Sequence, residues 1–124
     1  MTRKVMIVDD NTALRQTLQD ILIYEGYEVD AAADGHQAVD MAANESYGLI
    51  FMDIRMPGMD GIEALGKIKA IRPDSVVVMI TGSPTDGSLE VALANGAKTA
   101  LIKPFAVELM IEILEEVLSE TASA

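Results

Sequence analysis

The sequence predicts an α/β fold: a doubly wound, five-stranded parallel sheet in strand order 2-1-3-4-5, flanked by five helices. Three observations predict it. Val5–Val8, Leu49–Met52 and Val76–Ile80 are unbroken apolar runs, the pattern of strands buried on both faces. Stretches with apolar residues at helical spacing separate these runs, and short polar turns join the two kinds of segment. Parallel neighbours require crossover connections, and right-handed crossovers leave few strand orders; 2-1-3-4-5 puts the most apolar strands in the centre.

The first strand, Val5–Val8, stops at Asp9-Asp10. Leu14, Leu18, Ile21 and Leu22 then share one helical face, with Asn11 or Thr12 to cap its start and Gly26 to end it. Tyr27–Ala32 alternates, with Glu28 and Asp30 pointing one way, which suits an edge strand. Asp34-Gly35-His36-Gln37 is a capping box ahead of a helix that carries Ala38, Val39 and Ala42 inward. The third strand ends at Asp53, and Asp60 with Glu63 forms a second capping box before the stripe Ile62, Leu65, Ile68. Val76–Ile80, the most β-branched run, ends at Thr81. Ser83-Pro84, with Asp86 three residues after the serine, predicts the start of a fourth helix that Asn95-Gly96 closes. Thr99–Ile102 makes the fifth strand and ends at Lys103-Pro104; Leu109, Ile113, Leu114 and Val117 describe the last helix.

The 124 residues fit one compact domain, expected over 1–120 with a short tail at 121–124. There is no cysteine, which excludes disulfides, thiolate metal sites and thiol catalysis. No apolar run is long enough for a membrane span, and no signal-peptide core follows Met1, so a cytoplasmic protein without a membrane partner is expected. A net charge of −11 argues against direct contact with nucleic acid.

In an open parallel sheet, ligands bind beyond the carboxyl ends of the strands, where strand order reverses. Those ends supply Asp9 and Asp10, then Asp53, Thr81 and Lys103. Three crowded acids repel and raise one another's pKa unless a cation sits among them. Oxygen ligands with no histidine or cysteine nearby suit a hard ion such as Mg²⁺. A carboxylate beside Mg²⁺ can attack a phosphoryl group, and an ammonium and a hydroxyl are the right donors for the oxygens that arrive. Taken singly, Asp9-Asp10 reads as a helix entry, Thr81 as a strand-end cap and Lys103 as a solvated loop residue; it is their convergence on one rim that carries chemical meaning.

Asp9-Asp10, Met-Asp-Ile-Arg-Met-Pro-Gly-Met-Asp-Gly from Met52, Ile-Thr-Gly from Ile80 and Ile-Lys-Pro-Phe from Ile102 together resemble the receiver domain of two-component response regulators. The resemblance is to chemotaxis-type receivers, whose fold is flavodoxin-like, and it spans nearly the whole chain. It implies that Asp53 is the phosphoacceptor and that Asp10, Asp53 and the backbone carbonyl of Arg55 bind Mg²⁺, with Asp9 acting largely through water. It also implies Thr81 as the switch hydroxyl, Lys103 as the partner of Asp53, and a cis Lys103–Pro104 bond. The donor would be a phosphohistidine on a sensor histidine kinase or histidine phosphotransfer protein, and the output a downstream effector protein or domain. The chain would be a regulatory phosphoacceptor rather than an enzyme with a separate substrate.

Other features sit outside this pattern or mimic another. Gly61…Gly66-Lys67 has most of a P-loop spacing but ends on Ile68, so it reads as an ordinary helix. The single His36, in the first turn of a surface helix, reads as a solvated imidazole far from the rim. Ala100 stands where receivers usually carry an aromatic residue, and Gly82 follows Thr81 where alanine is commoner, so backbone movement is expected to carry the signal. The last helix presents Glu108, Glu112, Glu115, Glu116 and Glu120 where many relatives are basic, and Ala106 leaves it without a capping side chain, at a cost of about 1 kcal/mol. By position, Arg55 and Ser83 are expected to tune the phosphoryl lifetime through water access. Two alternatives remain: an aspartyl-phosphate phosphatase, which would want an acid where Arg55 stands, and a pseudo-receiver used only for binding.

Overall fold

The structure, a computed structural model, describes residues 4–123. In order the elements are β1 (Lys4–Val8), α1 (Thr12–Tyr24), β2 (Glu28–Ala32), α2 (Gly35–Asn44), β3 (Leu49–Asp53), α3 (Gly61–Ile71), β4 (Val77–Thr81), α4 (Ser88–Ala94), β5 (Thr99–Ile102) and α5 (Val107–Ser123). The five strands are parallel and ordered β2-β1-β3-β4-β5, as the sequence predicts.

The unbroken apolar runs serve two cores at once, because successive strand residues point to opposite faces. Met6, Val8, Ile50, Met52, Val77 and Met79 pack against Ala38 and Ala42 of α2, Ala64, Leu65 and Ile68 of α3 and Ala92 of α4. Val5, Ile7, Leu49, Phe51, Val78, Ile80 and Leu101 pack on the other face against Leu18 and Leu22 of α1 and Met110, Leu114, Val117 and Leu118 of α5. The two edge strands, β2 and β5, are only partly covered, and Asp30 of β2 accepts a hydrogen bond from the Tyr47 hydroxyl at 2.7 Å.

Three expected caps form: Asn11, Asp34 and Asp60 accept from the backbone N–H of Leu14, Gln37 and Glu63. Gln37 completes its box by accepting from Ala33 N–H. α4 differs. It begins at Ser88 rather than near Ser83-Pro84, because Gly87 at its N-cap has φ of 88°, a left-handed turn that separates the preceding loop from the helix. Asp86 supplies the capping oxygen instead, accepting from Ser88 N–H at 3.0 Å and from the Ser88 hydroxyl at 2.5 Å.

The buried face of α5 is also rotated from the expected one. Met110 is fully buried with Leu114, Val117 and Leu118, whereas Leu109 is 46% exposed. Adjacent apolar residues allow two phases of the same helical stripe, and packing under β3 and β5 selects one. α5 runs to Ser123, and Ala124 lies outside the described residues. His36 is exposed, in the first turn of α2. That turn nonetheless starts on the same sheet edge as the strand ends, since Gly35 abuts Met59 of the β3–α3 loop.

Gly61 fixes where that loop returns. A Cβ there would lie 2.2 Å from the carbonyl oxygen of Asp53, and Gly61 N–H donates to Ile54 O at 2.8 Å. Gly61→Ala is therefore expected to destabilise the fold by about 1–3 kcal/mol. Gly66→Ala, on an open helical face with nothing within 4 Å, is expected to stabilise by up to about 1 kcal/mol. Urea unfolding of the two variants checks both signs.

Candidate functional site

The site is assembled from four strand ends in register. β1 delivers Asp9 and Asp10, β3 Asp53, β4 Thr81 and β5 Lys103. Backbone hydrogen bonds hold the ends level: Asp9 N–H to Ala32 O at 3.2 Å, Ile54 N–H to Ile80 O at 3.0 Å and Lys103 N–H to Thr81 O at 2.8 Å. The Lys103–Pro104 peptide is cis. All five rim residues predicted from the sequence converge here.

Carboxylate oxygens of Asp9, Asp10 and Asp53 lie within 4.8 Å of one another. Lys103 Nζ donates to Asp53 Oδ2 at 3.0 Å and stands 3.7 Å from Asp9 Oδ2. The other Asp53 oxygen accepts weakly from Arg55 N–H at 3.3 Å. Asp9 is fully buried; its Oδ1 accepts from Asn11 N–H at 2.9 Å, and its Oδ2 has no hydrogen-bond partner. Asp10 is exposed and completes the open side of the cluster. Thr81 is buried, and its Oγ1 accepts from Ser83 N–H at 3.0 Å, so the hydroxyl proton is left to donate elsewhere.

Burial pushes the Asp53 carboxyl above its ordinary range; the Lys103 bond pulls it down, the charge of Asp9 pushes it up again, and the net shift is upward. Burial opposes the charge on Lys103, yet Asp53, Asp9 and Asp10 together hold its ammonium above the usual value. One ammonium thus faces three acids. An orphaned buried carboxylate oxygen, excess negative charge and an all-oxygen donor set fit a hard divalent cation such as Mg²⁺.

Two supports were not visible in the sequence. Arg15 Nη1 donates to the backbone carbonyl of Asp9 at 2.7 Å, bracing the β1–α1 turn. The Arg55 guanidinium, carried by the β3–α3 loop, forms an ion pair with Asp86 of the β4–α4 loop. Ala100 pairs with Met79 in the sheet and adds no aromatic ring beside the site.

Residues 5–115 match the family model of the response regulator receiver domain. Chemotaxis protein CheY of Bacillus subtilis is 37% identical over 120 residues, covering 96% of this chain and 100% of the relative. Response regulator protein FleR of Pseudomonas aeruginosa is 35% identical over 115 residues, covering 92% of this chain and only 24% of the relative. Among solved structures, the receiver domain of a Pseudomonas aeruginosa sensor histidine kinase, with a magnesium ion coordinated in its active site cleft, superposes with a TM-score of 0.88 at 30% identity, covering 96% of this chain and 99% of that one. The chain belongs to the response regulator receiver domain family. Its function is phosphoacceptor signalling in a two-component system, a regulatory role.

The upward shift of Asp53 has a definite sign in stability. The folded state holds that proton more tightly than the unfolded chain, so the contribution is fully present below the ordinary carboxylate pKa and is lost as pH rises through the raised folded value. At neutral pH the ionised Asp53 therefore weakens the fold. Asp53→Asn is expected to raise unfolding free energy at neutral pH, with the difference from the unsubstituted protein shrinking as pH falls through that window. Mg²⁺ at a hundredfold excess over its Kd is expected to stabilise the unsubstituted protein by about 2.7 kcal/mol and the variant by less. Urea titrations across pH, with and without the ion, check all three expectations.

Proposed function

We propose that Asp53 is the residue that accepts the phosphoryl group, in a Mg²⁺-dependent reaction. The observation that carries this reading is the position of its carboxylate, 3.0 Å from the Lys103 ammonium and within 4.8 Å of two further acids at the sheet's carboxyl edge. Asp10, Asp53 and the backbone carbonyl of Arg55 would hold Mg²⁺ directly, and Asp9 would act on it through water. When bound, the ion neutralises charge on the phosphoryl oxygens and lets an anionic nucleophile approach them.

The residues of the chain do the rest. A carboxylate oxygen of Asp53 attacks the phosphorus of a phosphohistidine; the new O–P bond forms as the N–P bond breaks, and the imidazole keeps the electron pair. Lys103, already beside Asp53, passes from the carboxylate to the arriving phosphoryl oxygens, and the Thr81 proton is available to another of them. Water attack later reverses the modification, so the domain supports its own phosphorylation and dephosphorylation. The donor is a sensor histidine kinase or a histidine phosphotransfer protein, and the output is altered affinity for an effector protein or domain. A cytoplasmic location fits this partnership; among the described residues no helix is long and apolar enough to cross a membrane. The position a phosphatase would give to a general acid holds Arg55, and the retained Asp53–Lys103 pair speaks against a binding-only pseudo-receiver.

Incubation with a small acyl phosphate and Mg²⁺ is expected to add one phosphoryl group by mass. Chelation of the metal or Asp53→Asn is expected to abolish the adduct; an adduct that survives either one overturns the reading.

A further inference from the structure

Arg55 and Asp86 join two loops that share no strand pairing, the β3–α3 loop that leaves the acceptor and the β4–α4 loop that leads into α4. The two oxygens of Asp86 have separate tasks. Oδ1 accepts both the backbone N–H and the hydroxyl of Ser88, the first residue of α4, while Oδ2 faces the Arg55 guanidinium. Gly87, at the N-cap itself, has no side chain to take over that capping. The start of α4 therefore depends on where Asp86 points, and Arg55 holds one of its oxygens.

Arg55 is two residues from Asp53, and its backbone N–H already reaches Asp53 Oδ1 at 3.3 Å. Its side chain is 65% exposed, so it can swing without disturbing the core. A phosphoryl group replaces one negative charge by about two and adds three acceptor oxygens, and it matches the planar fork of an arginine better than a lone carboxylate does. The present pair is screened by water on its Arg55 side. Asp86, which is half-buried, already shares its charge with Ser88 through Oδ1, so a single carboxylate competes poorly with such a group.

We propose that Arg55 is a coupling residue: on phosphorylation of Asp53 its guanidinium exchanges Asp86 for the phosphoryl group, and the freed Asp86 resets the first turn of α4. The proposal rests on the reading of Asp53 as acceptor. The other end of the same loop is held by Thr81, whose Oγ1 accepts from Ser83 N–H at 3.0 Å. Release at Asp86 therefore moves the α4 end of a loop whose strand end stays anchored. The signal reaches α4 without the aromatic side chain that Ala100 cannot provide.

Asp86→Asn removes the ion pair yet keeps an oxygen for Ser88, so it isolates the coupling from the cap. The test follows backbone amide signals of Ser88–Val91 by NMR with and without beryllium fluoride and Mg²⁺, alongside mass measurement of acyl-phosphate adducts. Asp86→Asn is expected to form the adduct while its unmodified signals already lie part-way toward the modified positions, and its remaining shift on modification is expected to fall by half or more. Arg55→Met, compared per modified molecule, is expected to show the same loss, and the double variant no further loss. Shifts of full unsubstituted size in Asp86→Asn overturn the coupling alone; absence of any adduct in the unsubstituted protein overturns the coupling together with the acceptor assignment.

Discussion

The structure depends on an electrostatic imbalance that the fold creates and only partly relieves. Asp9, Asp10 and Asp53 are brought within 4.8 Å of one another, and Lys103 is the ammonium set between Asp53 and Asp9. Such crowding costs free energy unless something cationic completes it. The doubly wound sheet meets that cost with apolar packing on both faces, in which every residue from Val5 to Val8 and from Leu49 to Met52 is buried. Strain of this kind is tolerated at a functional site because the surrounding core fixes the positions of its members.

Most of this was legible in the sequence because polar residues stop apolar runs abruptly. Val8 to Asp9, Met52 to Asp53 and Ile80 to Thr81 are each one-residue transitions, and in a parallel sheet such transitions share an edge. Strand order followed from crossover handedness and hydrophobicity together. Helix boundaries were less secure where two cues competed. Ser83, Pro84 and Asp86 imitate a helix start, but the left-handed Gly87 postpones it to Ser88. Leu109 and Met110 are both apolar, so periodicity could not choose between them; burial chose Met110.

The contacts that periodicity cannot reveal are those between loops. In sequence Arg55 reads as a neighbour of the acceptor and Asp86 as part of a helix start, and with a helix and a strand between them nothing marks the two as partners. The same is true of Arg15, whose guanidinium reaches back to the Asp9 carbonyl from the second turn of α1. Such pairs carry no spacing signature because they depend on the path of irregular backbone. They tie the acid cluster to its neighbours, whereas the cluster itself is set by strand ends that the sequence marks clearly.

The ammonium arrives on the shortest strand of the sheet. β5 has four residues, forms an edge and pairs with β4 alone, whereas the three acids stand at the ends of β1 and β3, each flanked on both sides. Edge strands open more readily than central ones. The charge balance of a central site is thereby tied to the integrity of one peripheral strand pairing, β4 with β5.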